Sequence, residues 1–216
     1  MIIGICGLIG SGKGTVADIL VEKDYKKISF ADKLKDGVAE VFGWNRQMLE
    51  GDTNESRQWR EQEDTFWTQE TGETVTPRSV LQLFGTDCMR NGFFDGIWVS
   101  LLKKKLLENP HTNFVIPDVR FENEIKMIKD VGGEVWVVVR GSTPEWLQDY
   151  QRNNITPPDN IHSSEYRWVK AKKDYIIDNN STLDELRRRV SSRLGSTQTL
   201  LVPDCSLDIQ FSDYGC

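Results

Sequence analysis

Residues Gly7 to Thr15 read GLIGSGKGT; they follow an apolar run, MIIGIC, and precede a stretch with helical spacing. Glycines let a backbone curl until successive N–H groups converge, and such a concave array at the positive end of a helix binds phosphate. The ammonium of Lys13 has the reach to meet the β- and γ-phosphates of a nucleoside triphosphate. Gly10, Ser11, Gly12, Lys13, Gly14 and Thr15 are therefore assigned to the phosphates of a nucleoside triphosphate. The strict form of the motif places a hydroxyl directly after the lysine; here Gly14 intervenes. Thr15, or a water beside it, is the candidate for Mg²⁺. Taken alone, this loop specifies nucleotide binding and no reaction.

Three further clusters carry polar chemistry. Asp118 ends the apolar run NFVIP, where it could orient Mg²⁺ or hold a substrate hydroxyl, and Arg120 follows on the same rim. A guanidinium there can stabilise charge on a transferring phosphoryl group; the plain alternative is a helix cap with a solvated arginine. Asn123 and Glu124 fall in the next helix's first turn and divide between capping and substrate contact; Glu124 is assigned to substrate. FADKLK at 30–35 offers Lys33 or Lys35 for an acceptor's phosphate. In RSVLQLFGTDCMR at 78–90, Arg78 and Gln82 share a helix face, and a guanidinium with an amide suits a phosphate and a base edge. Thr86 lies beyond Gly85, which interrupts the helix and signals a close approach or a turn. Trp98 is divided between stacking on a base and packing in the core. Arg140 or Arg152 is the candidate lid arginine. His162 to Glu165 (HSSE) reads as orientation or capping, because phosphoryl transfer needs little proton chemistry.

These residues need elements to hold them. Met1–Cys6, Lys27–Phe30, Asn113–Pro117, Glu134–Val139 and Tyr175–Ile177 read as short buried strands. Thr15–Val21, Asp32–Phe42 (capped by Asp32), Arg78–Met89, Ile97–Leu107, Phe121–Val131 and Thr182–Leu194 have helical spacing. Alternating strands and helices predict a three-layer α/β/α domain over residues 1–194 with a five-stranded parallel sheet and ligands at the strands' carboxyl ends. Residues 44–77 are polar and poorly periodic, and read as an inserted, partly mobile substrate-side segment. Residues 141–160 read as a lid-like loop carrying a short helix, and 195–216 as a tail of unassigned role.

The chain has 216 residues and a net charge of −6, with 38% hydrophobic and 28% charged residues. Nothing in that composition suggests a disordered or nucleic-acid-coating protein, and phosphate binding is left to local clusters of Lys and Arg. No run of eighteen apolar residues predicts a membrane span, and the first residues do not read as a signal peptide's basic and apolar regions. Four cysteines without a CxxC pair, and two histidines, argue against a structural zinc site. A reducing cytoplasm is expected, the host's if the protein is viral.

Together the motifs resemble the bacteriophage deoxynucleoside monophosphate kinase family, through GLIGSGKGT, FADKLK, RSVLQLFGTD, Trp98, VIPDVRFENE, VVVRG, HSSE and DYIIDNNSTLDEL. The resemblance covers residues 1–194 apart from 44–77. It implies a P-loop kinase fold, a homodimer, and transfer of the γ-phosphate of ATP to a deoxynucleoside monophosphate for viral DNA synthesis. By position it places the acceptor at Lys35, Arg78, Gln82, Thr86, Trp98 and Arg120. Phosphomevalonate kinase-like and dephospho-coenzyme A kinase-like activities use a similar layout, although the Arg78–Gln82 pair and Trp98 favour a flat base. A non-catalytic nucleotide switch is the alternative from another class, and a GTPase base-recognition motif such as NKxD is absent from the sequence.

Overall fold

The computed structural model describes residues 1–161 and 163–199. Five strands, β1 (Ile2–Cys6), β2 (Lys26–Lys27), β3 (Phe114–Ile116), β4 (Glu134–Val139) and β5 (Tyr175–Asp178), form one sheet. Their order is β2-β3-β1-β4-β5 and every pairing is parallel, with Ile3 against Val115 on one side of β1 and Ile5 against Trp136 on the other. The expected three-layer α/β/α architecture is what the chain adopts.

Strand alternation sorts the core into two layers. Ile3, Ile5, Val115, Trp136 and Val138 face α1 (Lys13–Val21) and α9 (Leu183–Thr199), packing on Val16, Leu20, Leu186 and Val190. Cys6, Ile116, Val135 and Val137 face the opposite layer. There they meet Leu102 and Leu106 of α6 (Ile97–Leu107), Ile125 and Ile128 of α7 (Glu122–Asp130), and Leu147 of α8 (Glu145–Asn153). With both faces covered, β1, β3 and β4 are continuous apolar runs.

Several expectations need correcting. The second strand stops at Lys27, because Ser29 turns away to bond Asp118 through its hydroxyl. Asp32 is the first residue of α2 (Asp32–Phe42) rather than its cap; its carboxylate reaches back to accept the Ser29 N–H at 3.0 Å. The last helix continues past Leu194 to Thr199.

The largest departure is the segment 44–77. It holds α3 (Asn54–Glu61) and α4 (Thr65–Thr71), and leads into α5 (Pro77–Gln82). These pack with α2 around a third apolar cluster centred on Val38, Leu49 and Val80, with Trp44 stacked on Phe42. Much of the polar composition is capping: Thr53, Asp64 and Thr76 each accept a backbone N–H at a helix start. Helices of eight and seven residues are too short to display a clear period. Trp59 is half-buried against this cluster and Trp67 meets Phe42 edge-on, while Phe66 is exposed.

Candidate active site

The phosphate loop crosses from β1 to α1 at the carboxyl end of the sheet. Gly12 has φ 98°, and a Cβ there would stand 2.3 Å from the side-chain nitrogen of Asn179. That amide donates to the Ser11 carbonyl at 2.9 Å, while its own backbone N–H donates to Val139 at 2.7 Å. Asn179 thus clamps the loop to the ends of β4 and β5. The asparagines after YIID are visible in the sequence, but nothing local marks one of them as touching residue 11. Lys13 folds its ammonium inward, donating to the Gly7 and Leu8 carbonyls at 2.8 and 2.7 Å. Burial, then the neighbouring Arg120 guanidinium, lower its pKa, and the Glu165 carboxylate opposes them.

On the other side of the β1 end lies a cleft of about 490 Å³. It brings together Lys35, Arg78, Gln82, Thr86, Trp98, Asp118 and Arg120, residues that span eighty-five positions of sequence. It also contains Arg60, which no sequence cluster included, and Arg90, which closes the 78–90 cluster without a role assigned to it. The lining therefore carries five cations (Lys35, Arg60, Arg78, Arg90, Arg120) and one carboxylate, Asp118. In a protein of net charge −6 that is a local positive field. The apolar walls come from Phe30, Leu34, Leu81 and Phe121.

Each cation is held in its own way. Lys35, nearly buried, is paired with Glu50 at 2.5 Å, and Glu50 also takes Arg46. Arg78 makes an exposed pair with Glu61 at 2.8 Å, worth little by itself. Arg60 lies against Gly51, and its Nε is buried without a hydrogen-bond partner; burial, then Arg78, hold its pKa below the ordinary arginine value. An arginine that desolvated beside another arginine is suited to an incoming anion. Its signal in the sequence was hidden because 44–77 reads as an insertion.

The helix carrying Arg78 and Gln82 widens at Leu83–Asn91 into a π-helix, a form that accumulates at functional sites. Thr86 lines the cleft from this segment. Gly85 marks the close approach expected of it: a Cβ would sit 2.8 Å from Leu34 Cδ2, and its carbonyl accepts the Trp98 indole N–H at 3.0 Å. Trp98 is 6% exposed, so it serves as a floor to the cleft with its polar edge already taken.

Asp118 Oδ2 accepts the Ser29 hydroxyl at 2.6 Å, while Oδ1 is buried without a partner. Burial raises the pKa of this carboxyl, against the Ser29 bond and Lys35, which lower it. Glu124 stands differently: its Oε2 accepts the backbone N–H groups of Arg120 and Phe121 at 2.7 and 3.1 Å, capping α7. It is buried, and it is not part of the cleft lining; burial pushes its pKa up to about 7.

Arg140 is not brought into this cleft. It is exposed at the end of β4 and lines a narrow crevice behind the phosphate loop with Ser11 and Gly141. Arg152 is exposed on α8, a helix pinned to the body by the buried Leu147. His162 lies outside the described residues, as does the chain from residue 200.

Among the described residues no group of three or more His, Cys, Asp or Glu side chains could hold a metal ion. The unpartnered carboxylate oxygen of Asp118 and the hydroxyl of Thr15 at the start of α1 are hard oxygen donors, the chemistry that suits a Mg²⁺ keeping its other ligands from phosphates and water. No helix among the described residues is long and apolar enough to cross a membrane.

Residues 45–190 match the family model described as deoxynucleotide monophosphate kinase. That span begins after the phosphate loop and includes the segment expected to fall outside the resemblance, so it takes in Arg60, Arg78, Gln82, Thr86, Arg90, Trp98, Asp118 and Arg120. A protein of Acanthamoeba polyphaga mimivirus assigned as a deoxynucleotide monophosphate kinase is 31% identical over 206 residues, covering 89% of this chain and 95% of the relative. Among solved structures, shikimate kinase from Aquifex aeolicus is similar at 14% identity with a TM-score of 0.43, over 92% of this chain and 99% of its own. The dephospho-CoA kinase of Campylobacter jejuni is similar at 16% identity with a TM-score of 0.43, over 90% and 96%.

Proposed function

The chain belongs to the deoxynucleotide monophosphate kinase family, and on that premise we propose that it transfers the γ-phosphoryl group of ATP to a deoxynucleoside monophosphate. The products are ADP and the deoxynucleoside diphosphate, a precursor for DNA synthesis. The observation that carries the reading is the cleft itself, whose five cations and one carboxylate adjoin the phosphate loop through Arg120.

The chain's own residues divide the work. Gly10 to Thr15 wrap the donor's phosphates with backbone N–H groups, and Lys13 turns from the loop carbonyls to those oxygens. Arg78, Arg60, Lys35 and Arg90 supply the charge for the acceptor's phosphate. Gln82 and Thr86 offer the polar atoms for a base, between the apolar walls of Phe30 and Phe121 and above Trp98. Arg120 serves the phosphoryl group in transit, where positioned positive charge is the main catalytic device. Asp118 Oδ1 and Thr15 would hold Mg²⁺, which supplies charge neutralisation between donor phosphates. Glu124 acts through Arg120 by fixing its backbone, and Arg140 belongs to the donor side, behind the loop. The dimer implied by the resemblance is part of this proposal.

A coupled ADP-release assay tests it across the four common deoxynucleoside monophosphates, phosphomevalonate and dephospho-coenzyme A. Acceptor-stimulated release with at least one deoxynucleoside monophosphate is expected. Stimulation only by phosphomevalonate or dephospho-coenzyme A would move the assignment to those kinases, and no stimulation by any of them would refute it.

A further inference from the structure

Glu165 places a carboxylate where it is costly, beside a loop and a lysine that gather anions. It sits in the 3₁₀ turn Ser163–Glu165, whose last carbonyl accepts the indole N–H of the buried Trp168 at 3.0 Å. Its two oxygens have different partners. Oε2 accepts the backbone N–H of Ile9, on the phosphate loop, at 3.0 Å; Oε1 accepts Nη1 of Arg120 at 3.2 Å. The same Nη1 donates to the Ser164 hydroxyl at 3.0 Å, and the Arg120 backbone is held by Glu124 at 2.7 Å. Arg120 is therefore fixed at both ends. Its Nε and Nη2 have no protein partner among the described residues, and these two form the edge of the guanidinium fork that matches two phosphoryl oxygens.

We infer that Glu165 is a positioning residue for phosphoryl transfer, tying the phosphate loop to Arg120 so that the free edge of the guanidinium stays where the transferring group passes. This rests on the kinase reading above. Because one carboxylate joins the donor's loop to the acceptor cleft's arginine, occupation of the loop is also coupled to occupation of the cleft.

The test is steady-state kinetics on Glu165→Ala, Glu165→Gln, Arg120→Ala and the Arg120→Ala/Glu165→Ala pair, with melting curves to show that each variant folds. Glu165→Ala should lower kcat about tenfold to a hundredfold while both KM values stay within about threefold. Glu165→Gln should fall between it and wild type, since an amide has one acceptor oxygen in place of two. The double variant should be no slower than Arg120→Ala, because both changes remove one device. Wild-type kcat in Glu165→Ala, or losses that multiply in the double variant, would overturn the inference. Calorimetry reads the same tie without turnover. ADP should alter the affinity for deoxynucleoside monophosphate in wild type and not in Glu165→Ala; identical coupling in both counts against Glu165. A wild-type enzyme that phosphorylates no monophosphate would refute the proposed function, and the binding measurement would still decide this one.

Discussion

The side-chain amide of Asn179 donates to the carbonyl of Ser11 at 2.9 Å, across 168 positions of sequence. Through that bond the last strand of the sheet holds the shape of a loop that follows the first. Gly12 makes the contact feasible, since its left-handed backbone and missing Cβ leave room for the Asn179 amide.

Gly12→Ala should therefore destabilise the protein by about 1–3 kcal/mol, from strain at positive φ and from the displaced amide. Asn179→Ala should raise the KM for ATP several-fold and leave the acceptor KM nearly unchanged. Denaturant titration and initial-rate kinetics measure the two effects.

Lys13→Ala should abolish measurable turnover, because in the proposed donor site its ammonium is the charge that meets the β- and γ-phosphates. Arg78→Ala and Arg60→Ala should instead mainly raise the acceptor KM, by about tenfold each if one charged hydrogen bond is lost. Equal loss of ATP affinity in all three variants would contradict the division between donor loop and acceptor cleft.

Glu124 gives a pH dependence with a definite sign. Its folded value near 7 stands above its ordinary value of 4.5. Below 4.5 both the folded and the unfolded chain hold the proton. Between 4.5 and 7 the folded chain holds it and the unfolded chain does not, so stability falls as pH rises through that window. The fall is at most about 3 kcal/mol and is complete above pH 7. Glu124→Gln keeps an oxygen for the two backbone N–H groups and removes the titration. Its denaturation free energy minus that of wild type should rise from pH 4.5 to 7.5; a constant difference would show that Glu124 does not titrate there.

Leu49 tests whether the segment 44–77 is a packed body. It is fully buried in the cluster with Val38 and Val80. Leu49→Ala should cost about 2–4 kcal/mol in global unfolding or in local unfolding of that cluster. The acceptor KM should rise as well, since the next residue, Glu50, holds Lys35. A surface-like cost below about 0.5 kcal/mol would return the segment to a loosely attached insertion.

By itself the sequence determined the sheet, the phosphate loop and the candidates at Lys35, Arg78, Gln82, Thr86, Asp118 and Arg120. Each is announced by a local pattern: continuous apolar runs for buried parallel strands, glycines ahead of a lysine for a phosphate cradle, polar residues at strand ends and on one helix face. Arg60, Ser29 and Asn179 carried no such pattern, while Arg90 closed the 78–90 cluster with no role assigned and Glu165 fell in HSSE, read only as orientation or capping. Arg60 belongs to helices too short to show a period, and Ser29 and Asn179 act through partners 89 and 168 positions away. Residues whose local signal was ambiguous were decided by burial: Glu124 became a cap and Trp98 a floor, because each polar group found a backbone partner inside the fold. Only the tertiary structure could show that five cations share one cleft. Their common position depends on how α2, α3, α5 and the π-helix pack against one another, and spacing along the chain does not encode it.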